Sequence, residues 1–178
     1  MNTSVSSSPT NAEHKKNFDN APLVEVTRTF SSPVSRLWDA WSKEEQVQQW
    51  WGPEGFSSAN AKIDFRVGGK YLFSMKSPTG QVNWSTGTYE KIIPQQLIVC
   101  SDQFADQNGQ PITPKEAGMP GEWSDSEISF ITIEFEEIGT DRTKMTLTHE
   151  GIPLSVHDDC VAGWDTTIDK LQKLVEVN

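Results

Sequence analysis

Histidine is the residue type in this chain best suited to chemistry near neutral pH, because its side chain changes charge there. In the stretch "RTKMTLTHE", strand alternation places His149 on the same face as the apolar Met145 and Leu147. His157 stands seven residues before Trp164 and therefore shares the apolar face of a predicted last helix. We expect both imidazoles to approach one end of an internal cavity, with His157 kept neutral by the helix N-terminus. Each could act as a hydrogen-bond partner, a base or a ligand, or be a histidine with a purely structural role.

Other catalytic and metal-binding patterns are weak. A zinc site needs a third ligand, and neither Glu150 nor Asp165 shares the face of the two histidines. The sequence has no Ser-His-Asp order, phosphate-binding glycine loop or dinucleotide fingerprint. Cys100 and Cys160 lack C-x-x-C spacing and are predicted to be buried free thiols. We therefore predict no metal, no cofactor and no assigned catalytic residue, while an enzyme with a pocket histidine as general base stays open.

Two adjacent tryptophans precede a Gly-Pro turn in "VQQWWGPEGF". Neighbouring side chains on a helix point about 100° apart, so Trp50 and Trp51 are expected to play different parts. Both could fill the core, as aromatic stripes at helical spacing usually do. Alternatively, one packs inward while the other forms a wall at a cavity mouth, beside Pro53 and Phe56.

Strand parity adds aromatic and thioether side chains to the same lining. In "GGKYLFSM", Tyr71, Phe73 and Met75 share the inward face. In "VNWSTGTYE", the same argument places Trp84 inward, unless a bulge at Gly87 shifts the parity. The candidate ligand-binding residues are Trp50, Trp51, Phe56, Tyr71, Phe73, Met75, Trp84, His149, His157 and Trp164.

Two short helices are predicted after a first strand at residues 23–30. Ser32 as N-cap and Pro33 in the first helical position predict the start of the first helix. Ser42 and Glu45 have the spacing of a capping box and predict that a second helix follows at once. This second helix should end at the Gly-Pro turn.

The rest of the chain predicts hairpins followed by one long helix. Gly68 and Gly69 can supply the positive φ of a tight turn, and further turn signals divide the chain into about six consecutive antiparallel strands. Ser155 and Asp158 again have capping-box-like spacing and predict the start of the last helix. Its apolar stripe consists of Val161, Trp164, Ile168, Leu171 and Val175. The fold class is therefore α+β: a curved antiparallel sheet of about seven strands, wrapped around the long C-terminal helix.

Composition limits the partners. The 178-residue chain carries 25 acidic and 15 Lys+Arg residues, a net charge of −10, which disfavours nucleic acid and anionic membranes as partners. Residues 1–21 are polar and predict a disordered tail before a single domain at residues 22–178. Residues 104–126 are irregular and could form a lid over one end of the sheet. No signal peptide or membrane span is evident, so we expect a cytoplasmic protein.

Three blocks give the sequence a specific resemblance: "WWGPEGFS" at residues 50–57, "DFRVGGKYLFSM" at 64–75 and "GWDTTIDKL" at 163–171. In this order they resemble the activator-of-heat-shock-protein-ATPase-homologue (AHSA-like) family of the helix-grip, START-like SRPBCC superfamily. The resemblance covers roughly residues 23–176. It implies a helix-grip fold with a hydrophobic ligand-binding cavity and a link to the stress response.

Three functions are compatible with this resemblance. The leading one is binding of a small apolar or aromatic molecule by a monomer or homodimer. The second is a co-chaperone-like module that binds a heat-shock ATPase, although the full activators carry an additional N-terminal domain that we do not expect in the polar tail. The third is a cyclase-type or hydrolase-type enzyme that uses His149 or His157.

Overall fold

The computed structural model describes residues 23–123 and 128–176. Its helices are α1 (Val34–Ser42), α2 (Glu44–Trp50) and α3 (His157–Val175), and a 3-10 turn at Leu154–Val156 precedes α3. Its strands are β1 (Val24–Phe30), β2 (Ala61–Ile63), β3 (Lys70–Lys76), β4 (Val82–Ile93), β5 (Leu97–Ala105), β6 (Ser129–Gly139) and β7 (Arg142–Glu150). The predicted tail at residues 1–21 lies outside the described residues.

The strands form one antiparallel sheet in the order β1-β7-β6-β5-β4-β3-β2. Consecutive strands from β2 to β7 are neighbours, as expected for a series of hairpins, and β1 joins the far edge by pairing with β7. Helix α3 packs against the sheet through its buried face, which includes Trp164, Ile168, Leu171 and Val175. The predicted α+β helix-grip arrangement is confirmed. None of the helices in the described ranges is long and apolar enough to cross a bilayer.

Arg28 on β1 forms side-chain hydrogen bonds and ion pairs with residues of α3. Its guanidinium donates to Asp165 Oδ1 and Asp169 Oδ1, each at 2.6 Å, and to Gln172 Oε1 at 3.0 Å. Both carboxylates are about half exposed, so each ion pair contributes little free energy by itself. Because the three acceptors lie on successive turns of one helix face, the planar guanidinium fixes the position of α3 along β1.

The predicted capping residues are wrong by about one position at all three helices. Pro33 is the N-cap of α1, with extended backbone at φ −66° and ψ 150°, and its carbonyl accepts the first-turn amide of Arg36. Ser32 therefore lies outside the helix, and its buried hydroxyl has no partner among the residues that the structure describes. The backbone carbonyl of Ser32 accepts instead a hydrogen bond from the Thr143 hydroxyl.

The other two helix starts fail for a similar reason. Ser42 is the last residue of α1, and its hydroxyl donates to Trp38 O. The extended residue Lys43 then separates the two helices. Ser155 lies in the 3-10 turn, where its Oγ accepts the amide of Glu122 from a distant loop at 3.4 Å. The hydroxyls of Ser42 and Ser155 are engaged in these other hydrogen bonds, so neither makes an N-cap hydrogen bond.

The two glycines before β3 serve different purposes. Gly68 has φ +81°, with open space where a Cβ would be, so only its backbone conformation requires glycine. Gly69 does not have positive φ, but a Cβ there would collide with the backbone carbonyl oxygen of Asp64. The turn therefore needs left-handed backbone at one position and close backbone packing at the next.

Substitutions should separate these two requirements. Gly68→Asn should cost less than about 1 kcal/mol of unfolding free energy, because Asn tolerates left-handed backbone. Gly69→Ala should cost about 3 kcal/mol, because the Asp64 carbonyl cannot move without breaking the turn. Urea unfolding of the two variants measures the difference. A Gly69→Ala protein as stable as Gly68→Asn would contradict this account.

Candidate functional site

A cavity of about 310 Å³ lies between the concave face of the sheet and the N-terminal half of α3. Most of its wall is apolar. The large apolar side chains that line it are Trp51, Met75, Phe104, Met119, Trp123, Ile131, Ile152 and Trp164. Pro120 and Asp159 also line it and are exposed, so the cavity reaches the protein surface beside them.

The adjacent tryptophans have different environments, as predicted. Trp50 is fully buried, and its Nε1 donates to Ala40 O at 2.9 Å, so it is a core residue that does not line the cavity. Trp51 lines the cavity and contacts the rings of Phe73 and Trp164, with centroid distances of 4.8 and 5.6 Å. It is therefore the wall, although it is only 7% exposed.

His149 lies on β7 at the inner end of the cavity and is buried. Trp164 Nε1 donates to its Nδ1 at 3.1 Å, and its Nε2 lies 2.8 Å from Ser129 Oγ. Because indole nitrogen is only a donor, Nδ1 must hold a lone pair and Nε2 must carry the proton. The Ser129 hydroxyl then accepts from Nε2 and donates to Asp102 O at 3.1 Å.

This network agrees with the charge state of the ring. Burial lowers the pKa of His149 to about 3, so the imidazole is neutral at physiological pH. Asp102 Oδ2 lies 3.9 Å from Nε2, but a neutral ring makes this contact a weak polar one and not an ion pair. His149 therefore connects α3 to the sheet without adding charge to the cavity.

Asp102 is the partly buried acid of the site. Its Oδ1 accepts a 2.6 Å hydrogen bond from the Tyr71 hydroxyl, which also reaches Ser101 O at 3.0 Å. Burial raises the pKa of Asp102 to about 6, although the Tyr71 hydrogen bond acts in the opposite direction. The side chain keeps 19% of its surface accessible and lines the cavity.

Two further polar groups belong to residues of the lining. Trp51 Nε1 and Ser85 Oγ are buried and make no hydrogen bond within the part of the chain that the structure describes. Such groups usually cost free energy unless something pairs with them. Both belong to residues that line the cavity, so these two atoms are candidates for contact with a bound molecule after a small side-chain rotation.

The irregular segment after β5 covers one side of the cavity. Met119, Pro120 and Trp123 contribute to the lining, and the Trp123 ring packs edge-on against Phe104 at a centroid distance of 5.4 Å. Trp123 Nε1 donates to Pro120 O at 2.9 Å, which holds the ring within its own loop. The expected irregular region begins two residues later than predicted, because Phe104 and Ala105 belong to β5, and its role as a lid stays a prediction.

Four of the predicted site residues line the cavity: Trp51, Met75, His149 and Trp164. Tyr71 and Phe73 are buried behind the lining and stack on each other with their centroids 4.6 Å apart. Phe56 is also absent from the lining, and its carbonyl accepts a hydrogen bond from Lys170 Nζ at 3.0 Å.

The inward orientation predicted for Trp84 is wrong. In the β3–β4 register, Phe73 pairs with Ser85 and Ser74 pairs with Trp84. Directly paired residues share a face, so Ser85 points inward with Phe73 and Trp84 points to the other side of the sheet. The inward positions of this strand carry the small residues Ser85 and Gly87, which pair with Phe73 and Tyr71. A bulge exists, but it lies between Tyr89 and Lys91.

His157 also lies outside the cavity lining, so only one of the two predicted histidines reaches the site. Its Nδ1 is 2.9 Å from Asp158 Oδ1, and its Nε2 is 3.2 Å from Leu23 O. The Asp158 hydrogen bond, aided by the Leu23 carbonyl, raises the pKa of His157. This shift is opposite in direction to the one expected from the helix N-terminus, because the neighbouring carboxylate has the larger effect.

Sequence reasoning missed the polar end of the cavity: Ser85, Asp102, Ser129 and Cys160. One signal was available for Asp102, because it shares strand parity with the apolar Ile98 and Cys100. A charged residue on an otherwise apolar strand face is a site candidate. Cys160 is a free thiol that is only partly buried, not fully buried as predicted, and it lies 3.9 Å from His149 Nδ1.

Comparisons with known proteins agree with this architecture. A crystal structure from Chromobacterium violaceum is 27% identical, with a TM-score of 0.70, covering 88% of this chain and 98% of that one. A solution structure from Arthrobacter aurescens has the same fold, with 21% identity and a TM-score of 0.72, covering 97% of this chain and 92% of that one. The crystal structure of the AHSA1 protein from Silicibacter pomeroyi also has it, with 19% identity and a TM-score of 0.66, covering 85% of this chain and 96% of that one. A search of curated proteins finds no match.

The family comparison is more specific than the structural ones. Residues 31–176 match the profile of the family described as Activator of Hsp90 ATPase homolog 1-like protein. The match includes both short helices, the sheet from β2 to β7 and helix α3. This chain belongs to the Activator of Hsp90 ATPase homolog 1-like family.

Proposed function

We propose that this domain binds a small, largely apolar organic molecule in the cavity between the sheet and α3. The observation that carries the proposal is an aromatic-walled cavity with a polar inner end, whose lining residues Trp51 and Ser85 have an Nε1 and an Oγ without partners among the described residues. Ligand sites in proteins are usually concave, mostly apolar and supplied with a few polar groups that orient the ligand. Its volume of about 310 Å³ is at the lower end of their usual range, which favours a compact ligand.

The predicted histidine chemistry has little support in the geometry. A general base needs a free lone pair that faces the substrate, but Nδ1 of His149 already accepts from Trp164 and Nε2 carries the proton. Burial raises the pKa of the Cys160 thiol to about 12, so it is a poor nucleophile. Binding without turnover is therefore the function that these side chains favour.

A chaperone partner, which the family description mentions, would use the outer surface of the domain. The cavity lies inside the fold and offers a small molecule more contact than it offers a protein. Binding of a small molecule and binding of a chaperone are independent properties, and the structural features described above support the first.

A neutral bicyclic probe tests the proposal directly. We expect 2-naphthylmethanol to bind, to raise the melting temperature by several degrees at saturating concentration and to change tryptophan emission, because Trp51, Trp123 and Trp164 line the cavity. Cys160→Phe should weaken binding at least about tenfold by filling the cavity from α3. The readouts are calorimetric titration, a thermal-shift assay and fluorescence.

Ala162→Phe is the matched control, because Ala162 is exposed on the same helix. This variant should bind 2-naphthylmethanol like the wild type. If the probe fails to bind at about millimolar concentration, or if both phenylalanine variants bind it equally well, the cavity is not a binding site.

The pH dependence of stability should reveal the buried acid. Because the pKa of Asp102 rises from an ordinary value near 3.8 to about 6 on folding, its contribution to stability is full below about pH 4 and is lost as the pH rises to 6. Asp102→Asn keeps the shape and an acceptor for the Tyr71 hydroxyl. The variant should therefore gain about 1 to 3 kcal/mol relative to the wild type between pH 4 and pH 7.

The comparison uses urea unfolding of both proteins at each pH, since His149 contributes to both profiles. Its pKa is lowered on folding, so its own stabilisation is lost as the pH falls below about 6.5. Subtracting the wild-type curve from the variant curve largely cancels that effect. A difference that does not change with pH would show that Asp102 is not buried in the way described.

A further inference from the structure

The charged side chains in the described lining of the cavity are all acidic. Its described lining includes two ionisable acids, Asp102 at the inner end and Asp159 at the rim, and no lysine or arginine. The one histidine in this lining, His149, is neutral. A molecule that enters the cavity therefore meets negative charge without a compensating protein cation.

Asp102 is the important member of this pair. Oδ1 is occupied by the Tyr71 hydroxyl, whereas Oδ2 makes no hydrogen bond within the described residues. Nε2–H of His149 lies 3.9 Å from Oδ2, and that proton is directed to Ser129 Oγ at 2.8 Å. A buried carboxylate that lacks a cationic partner is unfavourable, and a cation supplied from outside would relieve it.

The walls of the cavity are suited to the same kind of ligand. Trp51, Phe104, Trp123 and Trp164 surround the space, and aromatic faces attract organic cations as well as apolar groups. An anionic ligand would meet the Asp102 carboxylate, and the described lining offers it no lysine or arginine to offset its lost hydration.

We propose that the ligand is a compact apolar amine, bound as its ammonium ion with an N–H donated to Asp102 Oδ2. This proposal rests on the proposed binding function and adds the chemical class of the ligand. The amine sits at the inner end of the cavity and its apolar body lies among the tryptophans. Asp159 at the rim adds a weaker attraction for the incoming cation.

Three probes with one apolar body and different head groups provide the test: 2-naphthylmethylamine, 2-naphthylmethanol and 2-naphthoate. In calorimetric titrations at pH 7.5 and low salt, the amine should bind at least about tenfold more tightly than the alcohol. The carboxylate should be the weakest. In Asp102→Asn, the amine and the alcohol should bind within about threefold of each other, with the affinity for the alcohol largely retained.

Asp159→Asn is the control for general electrostatic attraction. This exposed rim residue should change the affinity for the amine by no more than about threefold, and the change should vanish at high salt. An equal loss of amine preference in both variants would mean that the net charge, and not the Asp102 contact, selects the amine.

A pH series on the wild-type protein keeps the test valid if Asp102→Asn does not fold. The groups that face Asp102 are Tyr71, Cys100, His149 and Cys160, and burial moves the pKa of each away from the range between pH 5 and 7.5. Affinity for the amine should therefore fall as the pH drops below about 6, as the Asp102 carboxyl becomes protonated. Affinity for the alcohol should stay constant.

The outcomes separate the two proposals. If the alcohol binds but the amine binds no better, or if 2-naphthoate binds most tightly, the assignment of an amine is wrong and the binding function stands. If none of the three probes binds, both proposals fail.

Discussion

The hydrogen bond from Trp164 to His149 is the interaction on which the site depends. It joins α3 to β7, and because an indole nitrogen can only donate, it fixes which imidazole nitrogen carries the proton. That proton then points to Ser129, whose own hydroxyl is directed to the backbone of Asp102. The neighbouring carboxylate is thereby left without a charged partner, so one contact between helix and sheet sets the polarity of the cavity.

The fold could be predicted from the sequence because its signals are local and repeated. Alternation in the strands, turn residues between them and the 3.6-residue stripe of α3 all favour the same arrangement. The helix starts could not be placed as well, because a cap depends on one residue's backbone conformation. Ser32, one residue before the actual cap Pro33, instead accepts a hydrogen bond at its carbonyl from the remote Thr143 hydroxyl.

Some residues of the site could be predicted from the alternation or periodicity of their own element, whereas others depend on how the strands pair. Met75, His149 and Trp164 were found because each continues an apolar face of its own element. The predicted orientation of Trp84 is wrong because the register between β4 and β3 decides which residues of β4 point inward. The network of His149, Ser129 and Asp102 joins β7, β6 and β5, so spacing within one strand cannot reveal it.

The cavity exists because the inward positions of β4 and α3 carry small residues where large ones would close it. Ser85 and Gly163 both line the space, and neither fills it. Gly87 has a further effect, because a Cβ there would lie 2.7 Å from Cε1 of Tyr71 and would also collide with the backbone of Ser101. A side chain at this position would displace the Tyr71 ring and, with it, the hydroxyl that holds Asp102 Oδ1. Ser85 of β4 thus leaves space in the cavity, while Gly87 of the same strand leaves room for the Tyr71 ring that positions the carboxylate at its inner end.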